Sequence, residues 1–255
     1  MKSASKVWMA LATAGLAAAG AGTAYAVPSY GNLAGPGTYF GTTPTNGNFN
    51  IDTAGGIEVG LRARDRGTFA LVDGSSGTYT FLRGSCGSPA ATPGCSLNNF
   101  KARWNYDLSV NTAGTGLDLS HFRVQLDYDK DPTAGVSLVS FTDAYTHWAD
   151  NDYVTGAVKR HDAGSGPLAG ENGFQQSSNP SFADSGFAPF NFDALGTYDI
   201  TLSVYDAGLG GALRASTTIH IAAVPEPETY AMMLAGLGLL GFMARRRKQR
   251  ETLAA

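Results

Sequence analysis

The sequence predicts an all-β fold, an antiparallel two-sheet sandwich of jelly-roll or immunoglobulin-like kind, carried between two targeting segments. Three observations predict it. Apolar residues recur with period two through the body of the chain. Glycine-rich turn signals separate these runs, within a composition of 33 Gly in 255 residues. No stretch of the body repeats its apolar residues at the 3.6-residue spacing of an amphipathic helix. Antiparallel strands with one polar face must bury the other against a second layer, and a second sheet is the natural cover.

At the start of the chain, Lys2 and Lys6 precede a small-residue apolar run from Val7 to Gly22, and Ala24-Tyr25-Ala26 fits the A-x-A cleavage pattern. Residues 1–26 therefore read as a secretory signal peptide, with the mature chain opening at Val27. Residues 27–223 are enough for one domain with a sizeable core. In it Ile57, Val59 and Leu61 alternate with Glu58, Gly60 and Arg62, and Trp104, Tyr106, Leu108 and Val110 alternate with Arg103, Asn105, Asp107 and Ser109. Phe122, Val124, Leu126 and Tyr128 repeat the pattern, as do Tyr198, Ile200, Leu202 and Val204, and a last strand runs from Ser216 to Ile221. Each reads as a half-buried strand. Turn signals lie between them at Asp73-Gly74, Ala113-Gly114-Thr115-Gly116 and Gly208-Leu209-Gly210-Gly211.

Two stretches break the rhythm. Asn32 to Asn50 is dominated by Gly, Pro, Thr and Asn; His161 to Asn191 is a long excursion close to Phe174, Phe182, Phe187, Phe190 and Phe192. So many phenylalanines in one stretch call for packing rather than exposure.

The body carries 18 acidic against 11 basic residues, a net charge of about −7. Such a balance argues against nucleic acid as a partner, because phosphate binding needs a basic footprint. The two cysteines, Cys86 and Cys95, lie in a loop of turn-forming residues, and an oxidising compartment would let them pair. Closing so short a loop removes ~2.7 kcal/mol of chain entropy from the unfolded state.

Catalytic patterns are scarce. His121, His147, His161 and His220 are scattered without helical metal spacing, and Gly74-Ser75-Ser76-Gly77 reads as a turn rather than a nucleophile elbow. The sequence is therefore read as non-enzymatic. Asp127, Asp129 and Asp131 begin like an EF-hand loop, with carboxylates at positions one, three and five. Pro132 stands where such a loop needs Gly, and Leu138 where it needs a bidentate Glu, so the expectation is at most a looser calcium site, joined by Asp150 or Asp152. No other cofactor is expected. Trp148 and Tyr153 sit among amides and carboxylates, a mixture suited to stacking on a sugar ring and equally to core packing at a strand end.

The end of the chain carries a three-part tail over residues 224–250. Val224-Pro225-Glu226-Pro227 leads into an uncharged apolar run from Tyr230 to Ala244, followed by Arg245, Arg246, Arg247, Lys248 and Arg250. The run is read as a transmembrane helix, although fifteen residues at about 1.5 Å each reach only ~22 Å. The basic cluster is the anchor stop and belongs on the cytoplasmic side, leaving the body outside.

Those residues, from Val224 through Phe242 with the basic cluster behind them, resemble the PEP-CTERM sorting domain of Gram-negative bacteria. The resemblance implies recognition by an exosortase through Pro225, Glu226 and Pro227, membrane attachment through the helix in transit, and delivery to the cell surface or extracellular matrix. Glu228 departs from the small residue expected there. The resulting expectation is an exported structural or adhesive component of extracellular polymer or biofilm, with extracellular polysaccharide as a partner. A carbohydrate-binding module of the same fold and a secreted hydrolase are the two rivals.

Overall fold

The computed structural model describes residues 28–35, 37–38, 45–86, 101–142, 151–154, 157–160, 170–182, 187, 189–191, 193–208 and 210–253. The expected signal peptide, His147, His161, Trp148, Asp150, Cys95 and Phe192 lie outside them.

Twelve strands are described: β1 (Ser29–Gly31), β2 (Phe49–Ala54), β3 (Ile57–Asp65), β4 (Thr78–Leu82), β5 (Trp104–Asn111), β6 (Phe122–Asp129), β7 (Leu138–Thr142), β8 (Asn151–Val154), β9 (Ala157–Arg160), β10 (Gly173–Ser178), β11 (Gly196–Asp206) and β12 (Leu213–Val224). They form a seven-stranded sheet, ordered β1-β2-β3-β5-β10-β8-β9, and a five-stranded sheet, ordered β4-β12-β11-β6-β7. The all-β sandwich stands. All pairings are antiparallel except β4 with β12, which run parallel. The two are far apart in sequence, so no hairpin dictates their direction.

One core lies between the sheets. Ile57, Val59 and Leu61 of β3 and Trp104, Tyr106, Leu108 and Val110 of β5 face Val124, Leu126 and Tyr128 of β6, Ile200, Leu202 and Val204 of β11, and Ile219 and Ile221 of β12. The hydroxyls of Tyr106 and Tyr128 meet across the two sheets at 2.7 Å, so neither is buried without a partner. The expected packing of the phenylalanine-rich excursion holds for Phe174 and Phe187, both buried, and for Phe190, packed against the core. Phe187 makes edge contacts with Trp104 at 5.7 Å and Tyr128 at 4.8 Å, closing one end of the aromatic cluster.

On β6, buried and partly exposed residues alternate as the sequence pattern requires. β3 and β5 differ: their polar positions are buried too. Asp107 lies directly opposite Arg62 in the ladder. It accepts from Arg62 Nε at 2.8 Å and from Arg64 Nε at 3.0 Å, with Arg62 and Asp107 side chains wholly buried. Arg62 Nη1 also donates to the Thr45 and Gly47 carbonyls at 2.7 and 2.8 Å, and its guanidinium lies 4.3 Å from the centre of the Phe49 ring. The described residues before β2 are thus drawn over the outer face of the larger sheet as a strap. Glu58 accepts from the Ala34 and Gly35 amides there, Gln175 donates to the Gly37 carbonyl, and Leu33 packs on Phe49 and Ile51. The polar face of β3 is buried because this strap excludes water from it, and Glu58 and Arg62 on that face supply the strap with hydrogen bonds.

Close approaches require glycine at the turns beside β2, β3 and β4. A Cβ on Gly74 would lie 2.1 Å from the Tyr79 ring, which packs flat on the turn. Gly55 and Gly56, at φ +58° and +85°, make the tight β2–β3 hairpin, and Gly56 abuts the Gly114 backbone.

The tail forms α1 (Pro227–Leu253). Here the expectation of a transmembrane helix is corrected: among the described residues no helix is long and apolar enough to cross a membrane. Although α1 has 27 residues, its uncharged run covers only Tyr230 to Ala244, and basic residues fill much of the remainder.

Replacing Asp107 with Ala leaves two buried guanidiniums without their shared acceptor, and is expected to lower stability by about 3–5 kcal/mol. Denaturant unfolding should show this as a lower midpoint at unchanged slope.

Candidate functional site

Strand β12 leads straight into the tail. Val224 is its last residue, paired with Leu82 of β4, and the Val224 carbonyl accepts the Arg83 amide at 2.8 Å. Two residues, Pro225 and Glu226, separate the sheet from α1. Glu226 is held to the body, since Arg103 Nη2 donates to its Oε1 at 3.0 Å. Pro227 opens the helix, the position where its missing N–H costs nothing. Beyond it Met232, Leu234, Leu237, Leu240 and Phe242 are all exposed, Met232 at 74%. They point to different sides of α1, so this run of the helix is apolar all round, and these side chains do not pack on the sandwich. Such a segment is shaped for an apolar environment that the chain itself does not supply.

Residues 223–248 match the PEP-CTERM protein-sorting motif. The PEP-CTERM match covers the tail alone, agreeing with the resemblance seen in the sequence, and includes Pro225, Glu226, Pro227 and the basic residues Arg245 to Lys248; Arg250 lies just beyond it. A PEP-CTERM tail implies an exported protein that passes through the membrane stage of an exosortase system and goes on to the cell surface of a Gram-negative bacterium. No curated protein and no solved structure matches the chain.

The other expected sites are dispersed. Asp129 Oδ1 accepts from the Asp131 and Ser137 amides, closing the β6–β7 turn, while Asp131 accepts from the Thr133 amide and hydroxyl. Asp127 takes both bonds from Gln125 Nε2, on the face of β6 away from the core. Asp152 is on β8, in the other sheet. Among the described residues no group of three His, Cys, Asp or Glu side chains gathers as a metal site. Tyr153 lies on β8 opposite Gly173. Cys86 is buried, and its amide donates to the Lys101 carbonyl, closing the base of the segment that contains Cys95.

Two concavities were not legible in the sequence. One, of about 590 Å³, lies between the β6–β7 loop and the chain before β11, with Phe187, Phe190 and Tyr198 at its floor and Lys130, Asp131 and Asn191 at its rim. Burial pushes the Tyr198 phenol up to about 12. The other, of about 320 Å³, has Asp118 and His121 in its wall. Asp118 accepts from Ser120, from the Gly170 amide at 2.9 Å and from the exposed His121 ring at 2.8 Å. These bonds, those from Ser120 foremost, hold its carboxyl down at about 2.

Because an unfolded Asp titrates near 3.9, the Asp118 contribution to stability is complete above that pH and is lost as pH falls through about 2. Acid unfolding of Asp118→Asn is therefore expected to be flatter than wild type between these values, with the curves parallel at neutral pH.

Proposed function

We propose that the protein is a non-enzymatic structural or adhesive component of an extracellular polymer, such as a biofilm matrix, delivered there by exosortase. The observation that carries this reading is the matched sorting tail leaving directly from the last strand of a sandwich, with its acidic recognition residue held at the sandwich end. In this reading a signal peptide over residues 1–26 starts export, Cys86 and Cys95 pair in the oxidising compartment, and the apolar run of α1 associates with the bilayer until the tail is processed.

Expression in hosts with and without an exosortase tests it. With the enzyme, the released product should be lighter by the basic tail, and the body should carry no alkylatable thiol before reduction. Replacing Pro225, Glu226 and Pro227 together with Ala should keep the product uncleaved and in the membrane fraction. Equal masses and equal fractionation in the two hosts would overturn the reading.

A second reading, a carbohydrate-binding module, is favoured by the cavity over Phe187, Phe190 and Tyr198. Its aromatic floor and polar rim suit a sugar ring, and its volume lies in the range of small-molecule sites. Titration with fragments of the host's own exopolysaccharide should shift the Tyr198 resonances, and Lys130→Ala should weaken that binding.

A further inference from the structure

The body is acidic as a whole, yet one of its ends is not. Arg66, Arg83, Lys101 and Arg103 come together where β12 passes into the tail. The Arg66 amide donates to the Arg103 carbonyl, and a Cβ on Gly84 would lie 3.8 Å from Arg103 Nε, so the loop after β4 lies against that guanidinium. Arg66 and Lys101 share the Phe182 ring, 5.8 and 4.9 Å from its centre. Ser181 and Asn179, which bond the Ala102 amide, hold Phe182 in place. Arg103 has Glu226 as its partner, whereas Arg66, Arg83 and Lys101 form no ion pair among the described residues. The nearest carboxylate in sequence, Asp65, is turned into its own loop by the Thr68 amide and hydroxyl. Behind the patch the buried group of Arg62, Arg64 and Asp107 holds two cations to one anion, a further positive charge whose field water screens poorly. Burial and the neighbouring Arg64 cation hold the Arg66 guanidinium below its ordinary value.

The position of this patch selects its partner. Glu226, in contact with Arg103, precedes the uncharged run of α1 by four residues, which is about 6 Å of helix. The headgroup layer on each side of a bilayer is about 5–8 Å thick. When the run that starts at Tyr230 enters hydrocarbon, the cations around Arg103 are therefore carried to headgroup depth, whether α1 tilts or lies along the surface.

We propose that the end of the sandwich bearing Arg66, Arg83, Lys101 and Arg103 is a docking face for anionic phospholipid headgroups, seating the domain on the membrane beside α1. It rests on the reading that α1 associates with the bilayer. Docking at this face supplements an apolar run too short to span, and it brings the Pro225-Glu226-Pro227 segment to the membrane surface in a fixed pose. Anionic phosphates compete with Glu226 for Arg103, so the same contact frees the acidic residue of the sorting motif at the place where a membrane-embedded enzyme meets it.

The test is flotation of the full chain with vesicles of phosphatidylcholine and with vesicles of equal parts phosphatidylcholine and phosphatidylglycerol. Wild type should bind both, the anionic ones more tightly, with the difference fading at high salt. At roughly fivefold per surface cation, R66Q/R83Q/K101Q should bind anionic vesicles on the order of a hundredfold more weakly and neutral vesicles unchanged. R66K/R83K/K101R, which keeps the charge, should behave as wild type. If the glutamine variant binds anionic vesicles as tightly as wild type, the preference belongs to Arg245–Arg250 and the proposal is overturned, leaving the bilayer reading of α1 intact. If the charge-preserving variant is as weak as the glutamine variant, charge is not the cause and the proposal also falls. If wild type ignores neutral vesicles, membrane association of α1 fails, and the docking face with it.

Discussion

The architecture turns on the Asp107 carboxylate, enclosed between the guanidiniums of Arg62 and Arg64 with no access to water. Three strands and a strap meet there. Arg62 and Arg64 belong to β3, Asp107 to β5, and Ser177, which accepts from Arg64 Nη2 at 3.1 Å, to β10. A buried ion pair often stabilises no more than apolar residues of the same volume would. What it provides here is register: a slip of β3 by one residue would send both arginines into the core between the sheets and break every bond they make. The same arginine fixes the strap through the Thr45 and Gly47 carbonyls, so strap and sheet define each other.

Closure of the sandwich on its other side follows a related logic. β4 covers β12 only from His220 onward, leaving the edge of its first half open. Asp52 of β2 reaches across and accepts the Ser216 amide at 2.8 Å, while the Thr217 hydroxyl donates to the Asn50 carbonyl. Side chains thus complete an edge that no described strand occupies, which protects it from pairing with another chain. With its start held by β2 and its end by β4, β12 is a fixed platform, and the sorting tail departs from it at a set place.

The gathering of cations at that place is a consequence of topology. β3 and β5 are neighbours and antiparallel, so the residues that follow β3 and those that precede β5 lie at the same end of the sheet. Arg66 comes from the first group, Lys101 and Arg103 from the second, and β4 brings Arg83 beside them through its pairing with β12. In sequence these four residues are spread through an acidic body and form no motif. Their concentration exists only in the fold. The Phe187, Phe190 and Tyr198 cavity arises likewise, from residues of the excursion packing back against the start of β11.

By itself the sequence determined the features whose physics is local. Period-two alternation marked β3, β5, β6, β11 and β12 because successive strand side chains point to opposite faces, and Gly74 and Gly114 stand where the backbone must turn or be approached closely. The sorting tail was legible for the same reason: its motif, apolar run and basic cluster are contiguous. Tertiary structure decided which polar faces meet water. Glu58, Arg62 and Asp107 alternate like solvent-facing residues, yet the strap over β3 buries them, and nothing within a strand reveals what another segment lays upon it. It also decided which local bonds Asp127, Asp129 and Asp131 accept, from Gln125, from the Asp131 amide and from the Thr133 amide, none of which the spacing of the carboxylates reveals. Burial and convergence depend on partners distant in sequence, and for this chain those partners are set by the packing of two sheets.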